Sequence, residues 1–329
     1  MTCVAICIPT FNQARYLETS VRSAMAQTCP CEVWVSDDAS TDETPEVMAR
    51  LLTEYPQIHY VRHTKNLGIS SNPGWVIQQP QTEYVVRLDS DDELHPEYVE
   101  NLLDALLRYP SAGYAHAGVQ EVDGNGRKQR LRLLARNGGL QSGEESLVAS
   151  VTGYGVAANI CMFRRVAIQQ IDYYRSDMRF AEDWDLAVRI ADAGWGNVYV
   201  NEILANYRVW DTPTNARSRR KLAEIEGCRR VAEESLIPAF KRRGWSQAPI
   251  KESRRLMALT HAQSLRLKQF SETEQFDLRL ALSRLGDSMA LRWKFCWIRT
   301  PLAPVFQLPT NLVAFAKAWC KAALFQICR

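Results

Sequence analysis

The sequence predicts an α/β fold: a mostly parallel central sheet with flanking helices, Rossmann-like in layout, followed by a helical C-terminal region. Two observations support this prediction. Short apolar runs alternate with segments of helical periodicity over the first two thirds of the chain, which is the pattern of a parallel sheet. The charge balance then reverses: residues 1–211 hold 18 Lys and Arg against 28 Asp and Glu, and residues 212–329 hold 22 against 9. We therefore predict two domains, 1–211 and 212–329.

The first strands and helices follow each other in strict alternation. Residues 4–8 form a continuous apolar run suited to a strand buried on both faces, and residues 12–27 place apolar side chains at helical spacing. The same alternation predicts strands at 32–36, 59–63 and 83–88 and helices at 44–52, 68–79 and 96–109. The Thr44 hydroxyl is expected to cap its helix, with Pro45 in the first turn.

The rest of the first domain mixes regular and irregular patterns. Residues 127–146 are polar, basic and contain glycine, which predicts a mobile loop. Apolar periodicity predicts a strand at 113–122, regular structure at 156–163, a helix at 183–193 ending at Gly194, and two strands at 198–200 and 204–209.

Polar clusters follow three of the predicted strands, with the sequences PTFN, SDDAS and LDSDDE. In a parallel sheet, ligands bind beyond the carboxyl ends of the strands. Dinucleotide and P-loop chemistries are disfavoured, because the first strand is followed by PTFNQARY rather than GxGxxG and no GxxxxGK[ST] sequence occurs. The clusters therefore predict a ligand site of another kind at this edge of the sheet.

The third cluster holds Asp89, Asp91 and Asp92. If strand geometry continues, Asp89 and Asp91 point the same way, and two such carboxylates repel each other unless a cation lies between them. Mg²⁺ and Mn²⁺ take oxygen ligands and leave positions for phosphate. The alternative interpretation is an acidic turn that caps the helix beginning near Pro96. These residues alone leave both interpretations open.

Two further acidic pairs have a structural and a functional interpretation. Asp37 and Asp38 end the second strand, where a carboxylate can accept from a nucleobase N–H or from ribose hydroxyls, or belong to the turn before the next helix. Glu182 and Asp183 open a helix, where an acid can cap the helix or act as base toward a hydroxyl nucleophile. Asp183 can do both.

Together these strings resemble the inverting family 2 glycosyltransferases, which have the glycosyltransferase A fold. Five segments carry the resemblance, in the order and spacing of the family: IPTFNQARYLETSVRSAMAQT, WVSDDASTDET, KNLGISSN, VVRLDSDDELHP and FAEDWDLAVRIADAGW. They cover residues 4 to roughly 211, so the resemblance implies that 1–211 is the catalytic domain.

The resemblance implies a donor nucleotide site formed by four of these segments. The residues implied are Pro9, Thr10 and Phe11 against the base, Asp38 at the polar edge of the base, Asn66 and Arg87 beside the nucleotide and its phosphates, and Asp89 at the ribose or the metal.

The resemblance also implies the residues of the chemical step. Asp91 would be the principal ligand of a divalent metal, Mn²⁺ or Mg²⁺, and Asp183 the catalytic base. Glu182 and Trp184 would shape the acceptor side, and Arg208 would contact phosphate. Many family members carry a histidine shortly after a Tyr-Arg pair, where Trp210 stands here. Either Arg208 and the diphosphate complete the metal site, or metal dependence is weaker than usual.

The function implied is transfer of a sugar from a UDP, GDP or dTDP sugar to a saccharide or lipid-linked acceptor, with inversion, in bacterial surface polysaccharide or glycolipid assembly. The QxxRW motif of membrane-embedded synthases is missing. One alternative is a sugar nucleotidyltransferase, although the glycine-rich phosphate loop it needs after the first strand is missing. The other is a catalytically silent scaffold. The intact acidic pairs argue against this alternative, whereas Trp210 in the place of the histidine keeps it open.

The basic C-terminal region has three interpretations. Its charge can belong to solvated helix faces, and no recognised nucleic-acid motif accompanies it. The segment RWKFCWIRTPLAPVF and an apolar helix predicted at 311–328 suit an anionic bilayer surface. Equally, the C-terminal helix can pack on the catalytic domain. Scattered cysteines and the lack of a secretory leader or an 18-residue apolar span predict a cytoplasmic protein, peripheral to the inner face of the plasma membrane if the tail binds lipid.

Overall fold

The computed structural model describes residues 3–210, 220–266 and 270–297. The helix expected at 311–328 lies outside these ranges, as does Arg299 of the basic aromatic segment. The chain divides into two compact units. Unit 1 comprises Met1–Ser146, Gly155–Met178 and Arg189–Thr212, and unit 2 comprises Leu147–Tyr154, Arg179–Val188 and Pro213–Arg329. Two short segments that precede residue 211 thus group with the C-terminal helices.

Unit 1 is built around one mixed sheet of ten strands within the described residues. The strands are β1 Val4–Thr10, β2 Glu32–Asp37, β3 His59–Arg62, β4 Tyr84–Arg87, β5 Glu93–Leu94, β6 Ala112–Val122, β7 Lys128–Arg132, β8 Gly139–Gln141, β9 Cys161–Arg164 and β10 Gly196–Arg208. The main path runs β3-β2-β1-β4-β9-β6-β10-β5, with β7 paired to β6 and β8 to β10.

The α/β class is confirmed, and the sheet is parallel in two blocks. Strands β3, β2, β1 and β4 pair in parallel, as do β6 and β10, while β9 runs antiparallel between the blocks. The side chains of β1 are apolar on both faces because both faces are covered: Val4, Ile6 and Ile8 on one face and Ala5 and Cys7 on the other are at most 1% exposed.

Five of the seven helices that the structure describes between the strands lie close to their predicted positions, and the fifth and sixth have no predicted counterpart. They are α1 Ala14–Met25, α2 Thr44–Glu54, α3 Ser71–Gln78, α4 Tyr98–Arg108, α5 Gly143–Ala149, α6 Arg165–Gln170 and α7 Glu182–Asp192. The predicted capping role of Thr44 is wrong, because its hydroxyl and its backbone N–H both donate to Asp42 Oδ1. Asp42 also accepts from the N–H of Ala14 through Oδ2, so one carboxylate serves the first turns of α1 and α2.

Two predictions about the second half of unit 1 are wrong. The expected mobile loop at 127–146 contains β7, β8 and the beginning of α5. Strand β7 pairs with β6 off the main path of the sheet, and four of its five side chains are exposed. Its sequence therefore has no apolar periodicity that would indicate a strand. The two strands expected at 198–200 and 204–209 are one strand, β10, whose register against β6 shifts between Val200 and Ala205.

Unit 2 is helical in its described residues. Helix α8, Lys221–Arg230, continues through a π-helical segment, Val231–Leu236, into α9, Ile237–Arg242; α10 is Ala248–His261, α11 is Glu272–Gly286 and α12 is Met289–Trp297. Ser271 and Glu274 form a capping box at the start of α11. Leu278, Leu282 and Leu285 of α11 are buried in a core shared with α8, α10 and α12. Within the described ranges, no helix combines the length and apolar character that crossing a bilayer requires.

Candidate functional site

The register of the sheet brings the three polar clusters of unit 1 to one edge. Thr10 lies opposite Asp37 at the carboxyl ends of β1 and β2, and Cys7 of β1 lies opposite Arg87 at the end of β4. The N–H of Asp38 donates to the carbonyl of Thr10 at 2.9 Å, which ties the second cluster to the first. Residues far apart in the chain thus meet where ligands of parallel sheets bind.

Asp38 is a buried carboxylate, 3% exposed, that organises the segment before α3. Its Oδ1 accepts from the N–H of Leu67 at 2.5 Å and its Oδ2 from the N–H of Gly68 at 3.0 Å, while Asn66 Nδ2 donates to its backbone carbonyl. Each carboxylate oxygen has a second lone pair, and those lone pairs are what Asp38 can offer to a base. Asn66 is exposed beside it.

The PTFN segment offers an apolar surface at the same edge. The Phe11 ring is 45% exposed although it follows a strand that is almost completely buried. Pro9 is half-buried and Thr10 is buried, with its Oγ1 lacking a hydrogen-bond partner among the described residues. The exposed aromatic ring is a surface suited to a planar ligand.

Arg87 and Asp89 form an ion pair at the end of β4. Arg87 Nε donates to Asp89 Oδ1 at 2.9 Å, and Arg87 NH1 donates to the hydroxyl of Tyr174 at 3.3 Å. The guanidinium is buried and lies 5.6 Å from the centre of the Tyr174 ring. Asp89 therefore has a fixed orientation, and the Arg87 charge is shared with this carboxylate before any phosphate is considered.

The next two aspartates are destabilised as anions. Burial, followed by the neighbouring Asp89 charge, raises the pKa of Asp91, and burial and the Asp91 charge raise the pKa of Asp92 well above its usual range. Asp92 Oδ1 accepts from the N–H of Arg208 at 2.8 Å, but its Oδ2 is buried with no hydrogen-bond partner in the described residues. A cation near these carboxylates would remove this repulsion.

The donor set fits a divalent cation that takes part of its ligands from a bound molecule. Asp89 and Asp91 supply carboxylate oxygens, which Mg²⁺ and Mn²⁺ prefer. Among the described residues, no three His, Cys, Asp or Glu side chains are grouped so that they would hold a metal ion by themselves. The remaining ligands would come from water and from phosphate oxygens.

Arg208 and Trp210 extend from the end of β10 over this acidic turn. Arg208 Nε donates to the carbonyl of Asp91 at 2.9 Å and its NH1 to the carbonyl of Asp123 at 2.7 Å. Trp210 Nε1 donates to Asp91 Oδ2 at 3.0 Å. The second position after the Tyr-Arg pair thus holds a hydrogen-bond donor to the predicted metal ligand, a contact between residues 119 positions apart that no local pattern indicates.

The predicted base lies in unit 2, at the start of α7. Glu182 and Asp183 are each 7% exposed. Trp184 is buried, and its Nε1 donates to the carbonyl of Ser150 at 2.9 Å. Asp185 is fully buried and accepts from Ser235 Oγ at 2.5 Å, so the π-helical segment holds the first turn of α7. Sequence reasoning missed both of these anchors.

The chain enters α7 through a close approach within unit 2. A Cβ added at Gly227 of α8 would lie 2.5 Å from the carbonyl oxygen of Phe180, so only glycine allows this distance. Ala181 then has a φ of 61°. Ala39, which follows Asp38, has a φ of 60°, and Asn12, which follows Phe11, has a φ of 53°. Each of these left-handed residues adjoins a predicted site residue, and strain of this kind clusters at functional sites.

The structure has the glycosyltransferase A fold, which it shares with solved structures. Crystal structures of Staphylococcus aureus TarS 1–349 align with a TM-score of 0.65 for the complex with UDP-GlcNAc, at 15% identity over 98% of this chain and 90% of that one. The mannosyltransferase PcManGT from Pyrobaculum calidifontis, in complex with GDP-Man and Mn²⁺, aligns with a TM-score of 0.57 at 17% identity, covering 98% of this chain and 86% of that one.

The chain belongs to glycosyl transferase family 2, whose family model matches residues 5–172. It is similar to the chondroitin synthase of Escherichia coli, with 27% identity over 192 residues that make up 58% of this chain and 27% of that protein. The hyaluronan synthase of Pasteurella multocida is 29% identical over 192 residues, 58% of this chain and 19% of that protein. The chain therefore spans only 27% and 19% of the full lengths of these two synthases.

Proposed function

We propose that this chain is a metal-dependent inverting glycosyltransferase that uses a nucleotide-sugar donor and acts in bacterial surface polysaccharide or glycolipid assembly. The observation that carries the proposal is the convergence of Phe11, Asp38 and the Asp89–Asp91 pair at one sheet edge in a family 2 chain. The family match does not fit the sugar nucleotidyltransferase alternative.

The donor nucleotide binds at the edge formed by β1, β2 and β4. Phe11 packs against the base, Asp38 accepts from its polar edge, and Pro9 and Thr10 complete the wall. Asn66 and Arg87 lie toward the nucleotide and its phosphates, and Arg208 adds positive charge beside Asp91. UDP-GlcNAc is the first donor to test, because the TarS neighbour is in complex with it; GDP and dTDP sugars follow.

Asp91 and Asp89 would hold a divalent cation, Mn²⁺ or Mg²⁺, whose positive charge would offset the negative charge that develops on the leaving diphosphate. Asp183 takes the proton of the acceptor hydroxyl as that oxygen attacks the anomeric carbon. The bond between this carbon and the diphosphate oxygen breaks, and the nucleotide diphosphate leaves with the electron pair. Attack from the face opposite the leaving group inverts the anomeric centre.

Position on α7 supports Asp183 as the base. The first-turn backbone N–H groups and the helix dipole favour a negative charge there, and the anchors at Trp184 and Asp185 hold the turn in place. Glu182 and Trp184 border the acceptor. The acceptor is a saccharide or a lipid-linked saccharide, as the names of the polysaccharide synthases among its relatives suggest.

The test is a donor screen followed by one substitution. Thermal shift with UDP, GDP and dTDP sugars in the presence of Mn²⁺ identifies the donor, and absence of binding to every one would contradict the proposal. Asp183→Asn should then lower kcat by about 10²- to 10⁴-fold with donor affinity unchanged. Asp192→Asn, at the other end of α7, is the matched control and should retain full kcat. Equal loss of donor binding and turnover in Asp183→Asn would show a structural role.

Membrane contact is the second part of the proposal. Met289 and Trp293 lie one turn apart on α12 and are 68% and 60% exposed, and Phe276 of α11 is 67% exposed. The basic residues of α12 are engaged within unit 2, since Arg292 pairs with Asp287 and Lys294 Nζ donates to the carbonyl of Leu259. We infer that the apolar side chains of α12 enter the interface of an anionic bilayer at the cytoplasmic face.

Trp293→Glu tests this without removing the buried part of α12. The variant should lose cosedimentation with vesicles containing phosphatidylglycerol, and Leu222→Glu, another exposed position of unit 2, should keep it. Equal cosedimentation of wild type and Trp293→Glu would rule out contact through α12.

A further inference from the structure

Trp210 forms a hydrogen bond with one oxygen of the Asp91 carboxylate. Its Nε1 donates to Asp91 Oδ2 at 3.0 Å, although the indole ring is itself 41% exposed. Asp91 is the residue on which the proposed metal site depends most. Because the indole N–H donates to one carboxylate oxygen, it restricts the rotation of the Asp91 carboxylate.

The indole is held by the neighbouring ring of Tyr16. The two rings meet edge to face with centroids 5.4 Å apart, and the Arg208 guanidinium lies 4.4 Å from the Tyr16 centroid. The Tyr16 hydroxyl donates to the carbonyl of Gly124 at 3.1 Å, and a Cβ at Gly124 would lie 3.7 Å from the indole. Packing therefore fixes the direction of the N–H independently of Asp91.

We propose that Trp210 is a positioning residue that holds Asp91 with Oδ1 presented to the cation and Oδ2 bound to the indole. The proposal rests on the function proposed above. The indole hydrogen bond takes one lone pair of Oδ2 and orients the carboxylate, so Oδ1 is the oxygen that Asp91 would present to the cation, and the remaining ligands would come from the diphosphate and water. Metal therefore binds weakly alone and firmly together with the nucleotide.

The substitution that isolates this hydrogen bond is Trp210→Phe, which keeps an aromatic ring against Tyr16 and removes the N–H. The matched control is Trp195→Phe, because Trp195 Nε1 donates to Gln170 Oε1 at 2.8 Å elsewhere in unit 1. Calorimetric titration with Mn²⁺ and UDP measures the affinity of each variant. Trp210→Phe should bind the Mn²⁺–UDP pair roughly tenfold more weakly, as expected for one hydrogen bond to a charged group, and Trp195→Phe should bind like wild type.

A measurement on the wild-type protein makes the test independent of how the variant folds. Nitrogen-15 spectra resolve the indole N–H signals, and the signal missing in Trp210→Phe or in a selectively labelled sample belongs to Trp210. With Mg²⁺ and UDP this signal should keep its hydrogen-bonded shift, and with Mn²⁺ and UDP it should broaden strongly.

Two results overturn the proposal alone: unchanged or tighter Mn²⁺–UDP binding in Trp210→Phe, or movement of the Trp210 signal to the shift of a free indole when Mg²⁺ and UDP bind. The second result would mean that the cation replaces the indole at Asp91. If the wild-type protein binds none of UDP, GDP and dTDP with Mn²⁺, the proposed function and this inference fall together.

Discussion

Replacing Ser235 by alanine removes one hydrogen bond to a fully buried carboxylate. Ser235 lies in the π-helical segment of unit 2, and its hydroxyl donates to Asp185 Oδ1 at 2.5 Å. Asp185 is 0% exposed and Ser235 is 6% exposed, so water cannot replace the lost donor without opening the helix packing. Asp185 stands two residues after Asp183, the proposed base, which makes this bond a constraint on the first turn of α7.

The size of the effect follows from burial and charge. A hydrogen bond to a charged group contributes about 1.5–3 kcal/mol, and complete burial of Asp185 places this one toward the upper end, at about 2–3 kcal/mol. The cavity left by one oxygen adds little to this loss. For a domain the size of unit 2, such a loss of unfolding free energy lowers Tm by roughly 5–10 °C.

Three measurements check the prediction. Calorimetry gives the Tm of Ser235→Ala, and hydrogen exchange should show faster exchange in the first turns of α7 with no change in β1 and β4. Asp185→Asn keeps an acceptor for Ser235 and removes the charge, so a double-mutant cycle of the two changes should give a coupling energy of about 1 kcal/mol or more. A stability loss of less than about 0.5 kcal/mol, or simple additivity in the cycle, would refute this account of how α7 is held.

Two other predictions concern unit 1. Burial and the Asp91 charge raise the pKa of Asp92, so the folded protein without metal binds a proton there more readily than the unfolded chain does. The free energy of unfolding therefore increases as pH falls through this raised pKa. Asp92→Asn, which keeps an acceptor for the Arg208 N–H, should therefore be more stable than wild type in EDTA at pH 8. Urea titrations measure this difference in the free energy of unfolding, which should shrink on acidification. A difference that grows on acidification would contradict the prediction. Ala39→Gly should be neutral or stabilising by up to about 1 kcal/mol, because glycine removes the strain of a φ of 60° at the expense of its own entropic cost. Ala49→Gly, at an exposed position of helix α2, should cost about 1 kcal/mol. Equal losses in thermal unfolding would mean that Ala39 is not strained.

Local sequence patterns predict the first four strands and the first four helices of the chain. Strands β1 to β4 and helices α1 to α4 lie within a few residues of their predicted ranges. All of them except β3 bury one face or both, and the periodicity of their apolar residues reports that burial. The polar clusters after β1, β2 and β4 lie at one sheet edge for the same reason, since parallel strands end together. The membership in family 2 was likewise visible in ordered motifs.

Periodicity failed where side chains face solvent or where strands bend. The exposed side chains of edge strand β7 lead the sequence pattern to predict a loop, and the register shift within β10 divides its apolar pattern into two predicted strands. Neither segment has the alternation by which a half-buried strand is recognised.

What the tertiary structure alone decided is how the site residues are held. Asp38 is tied to the amides of Leu67 and Gly68, Asp91 to the indole of Trp210, and Asp185 to Ser235. These partners are between 29 and 119 positions apart in the chain. The amino-acid sequence determines which groups can donate and accept, but a hydrogen bond forms only where packing brings them within about 3 Å, and that distance depends on every element between them.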